Sequence, residues 1–146
     1  MPADMGDARG ADKRFGYAPS ADDIQRIGEA VLAELPPVFR EPVSDVLIRV
    51  QEFPDDETVT AMACDSPFDL LGLYHGIPIG EREAIPLRAE VDVIYLYRRP
   101  ILDYWASEPE TLEHLVRHVL IHEIGHHFGL SDDDMAAIEA EADGWT

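Results

Sequence analysis

The chain has 146 residues, 46% of them apolar, and 30 acidic against 11 basic side chains for a formal net charge of −19. This predicts one globular domain with a modest core, and it excludes the basic face that nucleic acid or an anionic membrane surface requires. The lone cysteine, Cys64, excludes an internal disulfide and suits a reducing compartment. Met1 to Gly16 lacks an apolar signal segment, and no run approaches the roughly 18 apolar residues of a membrane span. The expected location is cytoplasmic.

Residues 1–18, rich in Gly, Ala, Asp and Pro, read as a disordered tail, and residues 19–146 as the single domain. Ser20 and Asp23 form a capping-box pattern that opens a helix. Ile24, Ile27, Val31, Leu32 and Leu35 give it an apolar stripe, and Pro36-Pro37 ends it. Val46, Ile48 and Val50 alternate with Leu47, Arg49 and Gln51, which predicts a half-buried strand. A short helix is expected from Asp55 to Ala63, after Pro54. Leu70-Leu71-Gly72-Leu73-Tyr74 predicts a second strand, broken by Gly76 and Pro78. Val91 to Tyr97, β-branched and aromatic, predicts a third, ended by Arg98-Arg99-Pro100.

Ser107, Pro109 and Glu110 then carry the start signals of a long helix running to Gly129, roughly 30 Å in length. Leu112, Leu115, Val116, Val119 and Leu120 form its expected buried side. A last short helix runs from Ser131 through Met135 and Ile138 to Gly144. There are no internal repeats. Helix, strands, long helix and short helix in that order predict an α+β architecture with helices against one face of a small sheet.

The long helix carries His122-Glu123-Ile124-Gly125-His126-His127-Phe128-Gly129-Leu130-Ser131-Asp132, an H-E-x-x-H-x-x-G-x-x-D pattern. His122 and His126 project from one helix face a turn apart, and two imidazoles so placed suit a tetrahedral zinc ion, with corners left for a third ligand and water. Glu123 lies about 100° round the helix from His122, beside the metal, where a general base belongs. Gly129 suits the left-handed turn that ends the helix and swings Asp132 back toward the histidines. Glu139 and Glu141 on the next helix compete with Asp132 for the third position, as in His₂Glu zinc sites. Asp132 also has a metal-free role, since Asp132, Asp133 and Asp134 form an acidic first turn that favours a helix N-terminus.

His114, His118, His122 and His126 form a ladder that rises about 18 Å, so all four cannot serve one ion. His118 with His122 is a geometrically sound pair, but no glutamate follows its first histidine. His114 and His118 therefore read as polar-face groups, and His127 as packed or exposed rather than a ligand.

His122 to Asp132, with Leu70-Leu71-Gly72-Leu73-Tyr74 and Ile94-Tyr95-Leu96-Tyr97-Arg98-Arg99-Pro100, resembles the bacterial minimal zincin-like metallopeptidases, small cytoplasmic proteins with a minimal metalloprotease-like domain. The resemblance covers most of the chain from about Ser20 onward. It implies a small zincin-like α+β domain, a mixed sheet of about three to four strands packed with a long active-site helix and flanking helices. It also implies zinc held by His122, His126 and Asp132, with Glu123 as catalytic base. Because zincins pair extended substrate with a strand at the cleft edge, Val91 to Tyr97 is the expected substrate shelf. Two departures stand out. Asp132 occupies the place where metzincins carry a third histidine, and Met135 follows it too closely to serve as their methionine turn.

The expected activity is zinc-dependent hydrolysis of peptides or an extended protein segment, with Glu123 moving the proton. The alternative is a zinc-binding domain with little or no turnover, serving regulation or assembly. Tyr74, His75, Tyr95 and Tyr97 are the candidate substrate-binding groups by location, although strands favour such aromatics for packing alone.

Overall fold

The structure, a computed structural model, describes residues 16–76 and 92–142. Most of the expected N-terminal tail lies outside these residues, as do Pro78, Val91, Gly144 and the side chain of Glu141.

Helix α1 (Ala21–Glu34) begins at the capping box read from the sequence: Ser20 Oγ accepts from the Asp23 N–H, and the Asp23 carboxylate accepts from the Ser20 N–H. Its stripe buries Ile24, Gly28 and Val31. A short helix α2 (Pro37–Arg40), with Pro at its start, and a 3-10 turn (Glu41–Val43) lead into strand β1 (Leu47–Gln51). Helix α3 (Asp56–Ala61) is capped by Asp55, whose carboxylate accepts from the Thr58 N–H at 2.7 Å. Strand β2 (Gly72–His75) follows a second 3-10 turn (Pro67–Asp69), and strand β3 (Val93–Tyr97) completes a three-stranded sheet among the described residues.

The strand order is β1-β3-β2, with β1 parallel and β2 antiparallel to β3. The sheet is thus mixed, and the architecture is the α+β one expected. Ile48 stands opposite Ile94, and Ile94 and Leu96 are fully buried against α1 and the long helix. Tyr95 and Tyr97 alternate to the other face, where their rings stack. The third strand is therefore the central one. Both its edges are hydrogen-bonded, so the segment expected as the substrate shelf has no free backbone to offer a peptide.

Two boundaries also differ from expectation. Arg98-Arg99-Pro100 does not merely end a strand; it opens helix α4 (Arg98–Ala106). Pro100 is tolerated because first-turn N–H groups have no partner within their helix. Ser107 then closes α4 instead of starting the next helix. The motif helix α5 (Leu112–Phe128) starts at Thr111, whose hydroxyl accepts from the His114 N–H at 3.1 Å. Gly129 ends it at φ 75°, a left-handed conformation natural to glycine, and Leu130 N–H reaches back to Gly125 O at 2.8 Å.

Helix α6 (Asp132–Ala142) returns along α5. Ser131 caps it, exchanging hydrogen bonds with Asp134. A Cβ at Gly125 would collide with Met135 Sδ and lie 2.7 Å from Met135 Cγ, and Met135 is itself buried. Glycine inside a helix costs about 1 kcal/mol relative to alanine, and here it permits the close approach of α6. Gly125→Ala should therefore lower the unfolding free energy by about 1–3 kcal/mol in urea titrations. It should cost less in a Met135→Ala background; equal costs in both backgrounds would remove this contact as the cause.

Candidate metal centre

Helix α5 buries Leu115, Val116, Leu120, Ile121 and Ile124 against α1, the sheet and α6, which leaves one arc for its histidines. His118, His122 and His126 follow one another along that arc. The His118 and His122 rings are 4.2 Å apart between centroids, and those of His122 and His126 are 6.4 Å apart and nearly perpendicular. His114 is turned aside, with Nδ1 3.0 Å from Glu110 Oε2.

Glu123 points toward β2. Its Oε1 accepts from the Tyr74 N–H at 3.0 Å, and its Oε2 lies 4.0 Å from His126 Nδ1. The direction of that N–H follows from the ladder. Tyr97 N–H donates to Leu71 O, which makes 71 and 97 a bonded pair, and bonded pairs alternate in an antiparallel ladder. Tyr74, opposite Ile94, is therefore in a non-bonded pair, and its N–H faces away from β3. Glu123 thus occupies an outward-facing donor of β2.

The Tyr74 ring stacks on His127 at 4.0 Å, and its hydroxyl donates to Asp92 Oδ2 at 3.3 Å. His127 is a packed group, its side chain only 3% exposed, with Nε2 3.9 Å from the same Asp92 oxygen. This cluster ties β2, the approach to β3 and the end of the motif helix together. Of the other groups considered for substrate, His75 is exposed, Tyr95 is half-buried, and Tyr97 is 2% exposed. Burial pushes the Tyr97 hydroxyl up to about 12, with the Asp55 charge acting the same way.

On α6, Asp132 is exposed in the first turn, and Glu139 reaches the histidine arc. Glu139 Oε1 is 2.5 Å from His118 Nδ1 and 3.7 Å from His122 Nε2. That oxygen is buried with no donor in hydrogen-bonding geometry. His118, His122 and Glu139 are the group among the described residues whose ligand atoms all lie within 4.8 Å of one another. Two imidazoles and a carboxylate whose buried oxygen lacks a hydrogen bond fit a borderline divalent cation such as zinc. Sequence spacing had set His118 aside. The missing signal was the helical hairpin: counting outward from Gly129 in both directions brings Gly125 to Met135 and the upper histidines to Glu139.

Burial holds the Glu123 carboxyl above its ordinary value of 4.5, opposed by the Tyr74 N–H and by His126. Burial and the neighbouring His118 hold His122 below 6.5; Glu139 and, more weakly, Asp132 oppose them. A depressed imidazole is neutral and available as a ligand at neutral pH.

The signs give opposite pH effects in the metal-free protein. With its folded value raised, Glu123 makes its full contribution at low pH, and stability falls as pH rises from 4.5 through that value. With its folded value lowered, His122 makes its full contribution above 6.5, and stability falls as pH drops from 6.5 through that value. Glu123→Gln keeps an acceptor for Tyr74 and removes the buried charge. It should raise the metal-free Tm at pH 7, with the gain vanishing near pH 4. A gain independent of pH would mean that the charge is not its source.

Among the described residues no helix is long and apolar enough to cross a membrane. No curated protein matches the chain. The sequence profile of the zincin-like metallopeptidases matches residues 43–142, from the end of the 3-10 turn before β1 through α6. That span covers well over half of the chain and takes in all three strands, the motif helix and the carboxylate-bearing helix. The chain belongs to the zincin-like metallopeptidase family.

Proposed function

We propose that the chain is a zinc-dependent peptidase, with His122, His126 and Asp132 holding the metal and Glu123 serving as general base. The observation that carries this reading is the placement of Glu123: a largely buried carboxylate, raised in pKa, between His126 and the Tyr74 N–H of β2, the edge strand among the described residues. Those residues would hold zinc, which when bound would supply a Lewis acid to activate water and polarise a scissile carbonyl. Asp132 lies on the motif spacing, and its charge is felt at His122.

The chain's own groups supply the remaining steps. An extended peptide adds to the side of β2 that faces away from β3, which is the sheet edge among the described residues, where a substrate carbonyl competes with Glu123 for the Tyr74 N–H. Taking that donor displaces Glu123 Oε1 and frees the carboxylate. Glu123 then accepts a proton from the attacking water and delivers it to the leaving amine. Its raised pKa suits both halves of the transfer. In this reading His75, exposed at the end of β2, contacts the substrate's flank.

Glu123→Gln should lower hydrolysis of a peptide library by about 10²–10⁴-fold while zinc content stays unchanged. Equal turnover in both proteins would remove Glu123 as base, and no turnover in either would leave the metal-binding domain without peptidase activity. Elemental analysis of Asp132→Ala in a His118→Ala background, which removes the pairing of His118 with His122 and Glu139, tests the third ligand. Zinc lost or much weakened supports Asp132, and zinc retained there transfers that role to Glu139.

A further inference from the structure

We propose a second cation register on the motif helix: His118, His122 and Glu139 form a divalent-cation site that competes with the H-E-x-x-H site for His122. It is offset by one helical turn from the pair named in the peptidase reading, and it does not depend on that reading.

Three observations carry it. His118 and His122 stand in the same i, i+4 relation as His122 and His126, and their rings are the closer of the two pairs, 4.2 Å against 6.4 Å. Glu139 Oε1 lies 2.5 and 3.7 Å from the two imidazole nitrogens. Tetrahedral zinc with bonds of about 2.0–2.1 Å separates its ligand atoms by roughly 3.3 Å, within the span of those distances. Glu139 Oε1 is also buried, and although His118 Nδ1 is close, no donor meets it in hydrogen-bonding geometry, a state that costs free energy unless a cation meets it. The His₂Glu donor set selects zinc, cobalt or nickel over calcium and magnesium.

The residue after His118 is Val119, which is buried and apolar, so this register lacks the carboxylate that Glu123 provides in the other. A cation held here takes His122 away from His126 and leaves the proposed base without its metal. The two registers therefore exclude one another, and the chain holds a single ion in one or the other. Occupancy of the upper register by excess cation would silence the lower.

Cobalt(II) titration of the full chain separates the registers, read by visible absorption and by bound metal after equilibrium dialysis. The side chains of His118 and His126 are 48% and 61% exposed, so truncating them spares the core, and circular dichroism checks each fold. His126→Ala should still bind one cobalt. Adding Glu139→Gln or His118→Ala to it should weaken that binding by about tenfold or more. In an otherwise unchanged chain, either of these substitutions should leave one cobalt bound through the motif site.

The proposal is overturned if His126→Ala binds no cobalt, or if its binding is indifferent to both added changes. It is overturned too if Glu139→Gln alone abolishes binding while His118→Ala does not, since Glu139 would then be a ligand of the motif site. None of these readings uses turnover, so failure of the peptidase reading and failure of this site are separately visible.

Discussion

Helix α5 is buried around most of its circumference, with Leu115, Val116, Leu120, Ile121 and Ile124 fixed against α1, the sheet and α6. A helix held this way cannot rotate to suit its ligands. Its 100° step per residue then decides the chemistry: the residues at 118, 122 and 126 share the remaining arc, and residue 123 is aimed at β2. The pairing of a histidine arc with a carboxylate beside it is a consequence of packing before it is a property of any metal. Exposed histidines at the same spacing on a free helix would share the pattern without the fixed direction.

The environment of Glu123 shows two opposing effects, and burial wins. Removing a carboxylate from water disfavours its charge, while the Tyr74 N–H and His126 favour it. The net result is a carboxyl that holds a proton more readily than one in solvent. The histidines meet the complementary condition. Burial and mutual repulsion keep His122 neutral, which is the form that binds a cation.

Much of this was legible in the sequence because it is local. The Ser20–Asp23 capping box, the alternation of β1 and the helix that carries the H-E-x-x-H spacing are each set within a few turns of chain, and each element formed as read. The start of the motif helix was misplaced because Ser107 and Thr111 both carry capping chemistry, and only the presence of α4 decides between them. Arg98-Arg99-Pro100 misled for a related reason, since proline both ends strands and sits in the first turns of helices. The centrality of β3 and the approach of Glu139 to His118 depend on contacts between distant segments. No local period encodes them. Asp92 escaped notice likewise, because its partners Tyr74 and His127 lie far from it in the chain.

The hydrogen bond from Tyr74 to Glu123 also bears on self-association. A strand whose outward N–H is left bare is a template for pairing with a second chain, and such edges are where folded proteins begin to aggregate. In this molecule the Glu123 carboxylate covers that donor on β2 and places a negative charge where another strand would approach. The Glu123 side chain thus also serves as a guard on the edge that the described strands leave to β2, and whatever draws it away uncovers that donor.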